Sequence, residues 1–125
     1  MGTLSFPGAP TPGTDLIALE DLADPDSRGF DFGEGRELFQ MFVVRRGARL
    51  EGWLNRCPHA GHPMDFPPDQ FFSLDRTRLR CASHGAEFDF DSGACVAGPC
   101  LGRSLLPVPV ILEDGVVKIG TEDGA

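Results

Sequence analysis

The sequence predicts an all-β domain made of short antiparallel strands. Its 125 residues are the size of a single domain, and 41% of them are hydrophobic, which is enough for a modest core. The 16 Gly and 11 Pro residues favour turns over helix interiors. No long stretch shows the spacing of apolar residues that is typical of an amphipathic helix.

The domain is predicted to span residues 14–120. Residues 1–13 are rich in Pro and Gly, so a loose N-terminal arm is expected there, and residues 121–125 are expected to form a C-terminal tail. Strands are predicted where apolar and β-branched residues cluster between turn residues. These strands are residues 14–19, 38–45, 48–55, the two arms of a hairpin within 71–81, 86–90, 105–112 and 116–119.

The connections between these strands carry ordinary turn signals. They include a turn at Arg46-Gly47, a turn at Asp75-Arg76, a turn at residues 91–93 and a hairpin turn at Asp114-Gly115. A short turn over residues 20–24 ends at Pro25, and a loop is expected over residues 29–35. In strand 48–55, Leu50, Gly52 and Leu54 share one face, and Trp53 on the opposite face is interpreted as a core residue.

The net charge of −8 excludes some classes of partner. Nucleic acid is not expected, because binding phosphate requires a basic surface, and anionic membranes are disfavoured for the same reason. The acidity fits either docking onto a basic patch of a partner protein or simple solubility. No apolar run reaches the roughly 20 residues that span a bilayer, and residues 1–7 do not form a secretion signal. We therefore expect a cytoplasmic protein with reduced cysteines.

Two short segments combine a cysteine with a histidine, Cys57-Pro58-His59 and Cys81-Ala82-Ser83-His84-Gly85. The interval between them is long enough for a β-hairpin that brings the two segments together. Thiolates and imidazoles at this spacing indicate a metal centre rather than disulfides. The loop over residues 56–70, which carries the first segment, is longer than an ordinary connection, and such loops usually carry function.

In these segments the chain resembles the Rieske family. The resemblance continues through Ala86-Glu87-Phe88-Asp89, Ser92-Gly93, Gly98-Pro99 and the two closing strands, and it covers residues 14–120. It implies an antiparallel β fold with a [2Fe–2S] cluster under two hairpin loops and a proline loop. By this resemblance the cluster ligands are Cys57, His59, Cys81 and His84.

The ligand roles and the redox potential also follow from the resemblance. Cys57 and Cys81 would hold the buried iron, and His59 and His84 the outer iron, where electrons leave. High-potential relatives carry an additional cysteine in each loop, where this chain has His62 and Ser83. They also carry Ser and Tyr hydroxyls that bond to sulfur, where this chain has Ala86 and Phe88. We therefore expect a potential toward the low end of the family's range of about −150 to +300 mV.

Several alternatives remain open. A Cys2His2 set also fits a tetrahedral zinc site, although the flanking matches favour iron and sulfur. His62 is a candidate for an additional ligand, but a solvated loop histidine is the simpler interpretation. Cys95 and Cys100 fit either packed thiols or a redox dithiol. The remaining carboxylates of the loops are interpreted as turn and surface residues: Asp65, Asp69 and Asp89.

The sequence therefore predicts a one-electron carrier. It would be a ferredoxin component that accepts electrons from a reductase and passes them to an oxygenase or a similar acceptor. There is no second metal motif, Gly-rich nucleotide loop or paired nucleophile and base, so we expect an electron-transfer protein rather than an enzyme. Two other possibilities are a small permanent subunit of a redox enzyme and a redox sensor.

Overall fold

The computed structural model confirms the all-β prediction. It describes residues 3–56, 71–73, 77–81, 85–90, 92–98 and 101–121. Its strands are β1 (Asp15–Ala18), β2 (Asp26–Phe32), β3 (Phe39–Arg46), β4 (Arg49–Leu54), β5 (Leu79–Arg80), β6 (Glu87–Phe88), β7 (Cys95–Ala97), β8 (Val110–Glu113) and β9 (Val116–Ile119). Its helical turns are the 3₁₀ segments Thr3–Ser5, Leu19–Asp21 and Gly35–Glu37. Over these ranges, no helix is long and apolar enough to span a membrane.

The described strands form three antiparallel sheets of three strands each. The sheet orders are β1-β9-β8, β2-β3-β4 and β5-β6-β7. The first sheet joins the start of the domain to its end, because β1 pairs with β9. The third sheet contains Leu79 and Arg80 immediately before Cys81, so it supports the second of the two Cys–His segments.

The sheet β2-β3-β4 contributes to two separate apolar clusters, because β3 is buried on both faces. Phe39, Met41 and Val43 belong to a cluster that we call the first core. Phe42 and Val44, which alternate with them, belong to a second core. Side chains of successive strand residues point to opposite faces, so an unbroken apolar strand fits only between two packed layers.

The two cores divide the molecule. The first core contains Leu22, Phe39, Met41, Val43, Leu54, Val108, Val117 and Ile119. The second core contains Phe42, Val44, Trp53, Phe71, Leu79, Cys81, Ala86, Phe88, Phe90, Cys95 and Leu105. The second core joins the middle sheet to the sheet that supports Cys81. Trp53 lies in it and Leu54 in the first core, which confirms the predicted assignment of the two faces of β4.

Part of the segment that the sequence predicts to be a loose N-terminal arm packs against the domain in the structure. Thr3 is only 3% exposed, and its hydroxyl donates a hydrogen bond of 2.7 Å to the carbonyl oxygen of Pro107. Leu4, Phe6 and Ala9 pack against the first core. The frequent Pro and Gly residues indicated a flexible segment, but the apolar side chains between them bury enough surface to hold it in place.

Two strand predictions also differ from the structure. The loop expected over residues 29–35 is largely strand β2, which pairs with β3 and packs Phe30 and Phe32 against the first core. The strand expected over residues 105–112 begins only at Val110, because Pro107 and Pro109 have no N–H to donate to a strand ladder. Strand β7 was not predicted at all.

The hairpin turn at Asp114-Gly115 is confirmed. Both residues have positive φ, at 52° and 77°, as a two-residue turn between twisted antiparallel strands requires. The predicted strands at β1, β3, β4, β6 and β9 are confirmed within one or two residues of the expected bounds. The predicted turn over residues 20–24 is also found, as the 3₁₀ segment Leu19–Asp21.

Gly52 sets the distance between β4 and the segment that leads into β8. A Cβ at this position would lie 2.4 Å from the carbonyl oxygen of Val108 and 2.9 Å from Cγ1 of Val110. The backbones are in direct contact here, since the N–H of Val108 donates to the oxygen of Gly52 at 2.9 Å. Only glycine permits this approach.

We expect Gly52→Ala to lower the free energy of unfolding by about 1–3 kcal/mol, because the backbone of Val108 must move. Urea unfolding would measure the change. Gly47→Ala is the control, because Gly47 has φ 63° but no atom within 4 Å of a Cβ. Gly47→Ala should therefore lose only the free energy needed to place alanine at a positive φ, which is about 1 kcal/mol. An unchanged free energy of unfolding in Gly52→Ala would show that contact with Val108 does not constrain Gly52.

Candidate metal centre

One of the four predicted ligands lies in the described part of the chain. Cys81 is completely buried in the second core. Cys57, His59 and His84 lie outside the described residues, as do His62 and Cys100. Within the described ranges, no group of three or more His, Cys, Asp or Glu side chains comes together. The structure therefore shows the supports of the candidate centre, and the ligand set as a whole stays a prediction.

Cys81 begins a short turn whose ends are tied together. Its N–H donates to the carbonyl oxygen of Ala86 at 2.9 Å, and its own carbonyl oxygen accepts from the N–H of Gly85 at 3.0 Å. Gly85 has φ 70° and no atom within 4 Å of a Cβ, so its positive φ, rather than crowding by the described residues, requires glycine. This turn ties the backbone on both sides of the predicted ligand His84.

The predicted hairpin within residues 71–81 is confirmed in its two arms. The N–H of Arg80 donates to the oxygen of Phe71 at 2.7 Å, and the N–H of Ser73 donates to the oxygen of Arg78 at 2.8 Å. The turn expected at Asp75-Arg76 lies outside the described residues. These bonds hold residues 78–80, which lead into Cys81, against residues 71–73, which follow the loop of the first Cys–His segment.

The first Cys–His segment starts from an anchored position. The N–H of Leu54 donates to the oxygen of Leu106 at 2.8 Å, and the N–H of Asn55 donates to the oxygen of Gln40, also at 2.8 Å. Arg56 follows these residues and directly precedes Cys57. Trp53, at the end of β4, shares the second core with Cys81. Both candidate segments therefore start from strands that pack on one core.

A third segment lies directly against the turn after Cys81. A Cβ at Gly98 would lie 2.7 Å from Cα of Ala86, and Gly98 has φ 95°. Glycine is therefore required there both by its conformation and by contact. The resemblance to the Rieske family includes Gly98-Pro99, and the structure brings Gly98 against Ala86. Pro99 itself lies outside the described residues.

Cys95 is a packed thiol on β7. It is buried in the second core opposite Phe88 on β6, and its Sγ lies 3.3 Å from the carbonyl oxygen of Ala97. A buried thiol with a short contact to its own strand fits the prediction of a packed residue. Any pairing with Cys100 lies outside the described residues.

The environment of Cys81 fits an iron–sulfur cluster in two respects. A buried thiolate is a suitable ligand for iron, and Cys81 is completely buried. The indole Nε1 of Trp53 is also buried without a hydrogen-bond partner among the described residues. A buried donor without a partner normally destabilises the fold by about 1–3 kcal/mol. We therefore expect this N–H to donate to an acceptor that the described residues do not supply.

The family profile described as Rieske [2Fe-2S] domain matches residues 15–114. The chain belongs to the Rieske family. Domains of this family carry a [2Fe–2S] cluster, which confirms the predicted cofactor. The antiparallel Rieske fold expected from the sequence is confirmed as well.

Solved Rieske structures share the fold at low sequence identity. The ferredoxin of carbazole 1,9a-dioxygenase from Nocardioides aromaticivorans IC177 is 21% identical with a TM-score of 0.70, covering 90% of this chain and 100% of that one. A chain from the complex of reduced oxygenase and oxidised ferredoxin in carbazole 1,9a-dioxygenase is 20% identical with a TM-score of 0.66. The alignment covers 82% of this chain and 96% of that one. The terminal oxygenase of carbazole 1,9a-dioxygenase from the same Nocardioides strain is 19% identical with a TM-score of 0.70. The alignment covers 94% of this chain and 31% of that one. No curated protein matches the chain.

Ala86 and Phe88 are both completely buried in the second core. Neither side chain carries a hydroxyl, so neither can donate a hydrogen bond to sulfur. Such bonds stabilise the reduced cluster, so their absence favours a low potential. The low potential itself stays a prediction.

We expect Ala86→Ser to raise the midpoint potential, because the new hydroxyl stabilises the reduced state. A net hydrogen bond of about 1 kcal/mol corresponds to roughly 40 mV for a one-electron couple. Protein-film voltammetry would measure the shift. Ala97→Ser is the control, since Ala97 lies one strand away on β7 and outside both cores. A potential unchanged in Ala86→Ser, or raised equally in both variants, would contradict this assignment.

Gly98→Ala should lower cluster occupancy, since the added methyl group pushes the segment away from Ala86. Gly102→Ala is a close control, because Gly102 has φ 90° but no atom within 4 Å of a Cβ. The ratio of visible to ultraviolet absorbance after purification measures occupancy. We expect the ratio to fall only in Gly98→Ala. An equal loss in both variants would show that φ, rather than contact with Ala86, constrains Gly98.

Proposed function

We propose that this Rieske protein is a one-electron carrier, a ferredoxin that accepts electrons from a reductase and delivers them to an oxygenase or a similar acceptor. The observation that supports the proposal best is the mutual coverage with the carbazole dioxygenase ferredoxin, 90% of this chain and 100% of that one. The two chains therefore correspond over nearly their whole lengths. A carrier needs only the domain that holds the cluster and a surface where a partner can approach.

The proposed ligands are Cys57, His59, Cys81 and His84. The two thiolates hold the inner iron, and the complete burial of Cys81 supports this role. The two imidazoles hold the outer iron, from which the electron leaves. The bound cluster accepts and releases one electron, and two neutral imidazoles in place of two thiolates make it less negative and so easier to reduce. The protein contributes the two thiolates, of which that of Cys81 is buried, and the backbone bonds on both sides of Cys81.

The proposed acceptor is a separate oxygenase-like protein, and the chain itself catalyses no reaction. One structural neighbour comes from a complex of reduced oxygenase and oxidised ferredoxin, which supports a partner of this class. We place the protein in the cytoplasm, as the sequence predicted, without a membrane or nucleic-acid partner. The reductase that supplies the electron is part of the same proposal.

A second candidate is an electron-input domain that stays bound to a larger enzyme. The comparison with the terminal oxygenase favours it, because the Rieske fold of this chain aligns over 94% of its length with 31% of that oxygenase. Purification under native conditions separates the two candidates. A carrier purifies alone, whereas a permanent subunit purifies in a stoichiometric complex.

The direct test of the carrier proposal is anaerobic purification followed by redox titration. We expect red-brown protein with two iron and two sulfide per chain that takes up one electron and gives it to an excess of acceptor. Electron paramagnetic resonance of the reduced form should give a mean g value below that of clusters held by four cysteines. Colourless protein containing zinc, or a tight stoichiometric partner, would contradict the proposal.

We expect Cys81→Ala to abolish cluster binding, because it removes one thiolate from the inner iron. Cys95→Ala is a matched control, since both cysteines are buried in the second core and both substitutions remove the same atom. Iron content and visible absorbance would be measured after reconstitution. Cluster retained in Cys81→Ala, or lost equally in both variants, would show that Cys81 is not a ligand.

A further inference from the structure

Arg80 places a positive charge directly beside the proposed ligand Cys81. Strand β5 consists of Leu79 and Arg80, and Cys81 is the next residue. Leu79 and Cys81 are both completely buried in the second core, whereas Arg80 between them is half-buried. Because successive side chains of a strand point to opposite faces, the side chain of Arg80 lies on the face of the third sheet that is turned away from the second core.

Backbone hydrogen bonds fix the position of Arg80 relative to Cys81. The N–H of Arg80 donates to the oxygen of Phe71 at 2.7 Å, and the N–H of Cys81 donates to the oxygen of Ala86 at 2.9 Å. The Cα atoms of Arg80 and Cys81 are about 3.8 Å apart, as across any trans peptide. The residue that carries the charge and the proposed ligand are therefore held together by the chain and by the bonds on either side.

No carboxylate of the described residues forms an ion pair with Arg80. Glu87 lies directly opposite Arg80 in the register of β5 and β6. The carboxylate of Glu87 pairs instead with Arg78, with 3.2 Å between Nη1 of Arg78 and Oε1 of Glu87. The remaining ion pairs in this part of the chain join other residues. The charge of Arg80 is therefore not balanced by a direct partner.

An unbalanced positive charge favours the reduced state of a redox centre beside it. Reduction adds one negative charge, and a nearby cation lowers the energy of that charge by Coulomb attraction. Arginine keeps its charge in proteins, so this contribution does not depend on a proton equilibrium. Half-burial also makes salt screen the charge less than it screens a fully exposed one.

We propose that Arg80 is a redox-tuning residue, which raises the midpoint potential of the cluster that Cys81 is proposed to bind. This proposal rests on the ligand role of Cys81 and on the carrier function proposed above. The effect of Arg80 is opposite to that of Ala86 and Phe88, whose side chains offer no hydroxyl to sulfur. A higher potential makes the carrier accept an electron more readily from its donor and release it with less driving force.

Redox titration of the cluster-loaded protein against a mediator of known potential tests the proposal. At low ionic strength we expect Arg80→Gln to lower the equilibrium constant for one-electron reduction at least about threefold. Since a tenfold change corresponds to about 59 mV for one electron, a threefold change corresponds to about 28 mV. The titration reports only molecules that hold the cluster, so partial occupancy does not distort the comparison.

Arg80→Lys is the matched control, because it keeps the charge and changes the shape of the side chain. We expect its midpoint potential to stay close to that of the wild type. Arg49→Gln controls for net charge, since it removes the same charge from the start of β4 in the middle sheet. Equal shifts in Arg80→Gln and Arg49→Gln would overturn the proposal, and so would a shift in Arg80→Lys as large as that in Arg80→Gln.

The dependence on salt separates the effect of charge from a change in local structure. The Debye length falls to about 3 Å at 1 M salt, so the difference between the wild type and Arg80→Gln should narrow there. Electron paramagnetic resonance of the reduced proteins should give the same g values, because the charge acts without altering the ligands. A difference that persists undiminished at 1 M salt, or altered g values, would assign the shift to structure and refute tuning.

Failure of this proposal is distinguishable from failure of the carrier function. If Arg80→Gln binds no cluster, Arg80→Met supplies the same comparison, because methionine keeps an unbranched stem without charge. Loss of the cluster in both variants would show that Arg80 holds the segment in place rather than tunes the potential. A wild type with a one-electron cluster whose potential is independent of Arg80 contradicts only the tuning proposal. A wild type without a reducible cluster contradicts the carrier function itself.

Discussion

The burial of strand β3 on both faces is the constraint on which the other features depend. Its side chains alternate between the two cores, so the sheets on either side must each supply an apolar face. Phe39 and Phe42, which point in opposite directions, are both nearly inaccessible to solvent. Burial of each such side chain contributes about 1.5–3 kcal/mol, so packing on both faces of β3 stabilises the arrangement of the three sheets.

This arrangement explains why the candidate centre can be held by so little secondary structure. The sheet below Cys81 has strands of only two or three residues, too short to be stable alone. Leu79, Phe88 and Cys95, one from each strand, all lie in the second core, so packing against β3 and β4 stabilises them. The turn at Cys81 and the contact between Gly98 and Ala86 depend on that small sheet.

The sequence was sufficient for features that local chemistry determines. The apolar run at β3, the Asp114-Gly115 turn and the paired Cys–His segments each carry their own signal. Strand β2 carries none, because Gly29 and Gly33 resemble loop residues and only pairing with β3 and burial of Phe30 make the segment a strand. The closeness of Arg56 and Arg103, which line one cavity, is also invisible in the sequence. The two residues are far apart along the chain, and backbone bonds such as those of Leu54 to Leu106 and of Val108 to Gly52 bring their segments together.

We propose that residues 57–59 and 81–84 bind one pair of irons with different ligands on each iron. Mössbauer spectroscopy of protein produced in cells grown on ⁵⁷Fe distinguishes the two irons, because the electron density at an iron nucleus depends on its ligands. We expect two iron sites in equal amounts, one with the parameters of sulfur ligation alone and one with those of mixed nitrogen and sulfur ligation. A single class of iron with four sulfur ligands, or protein free of iron after iron-replete growth, would contradict it.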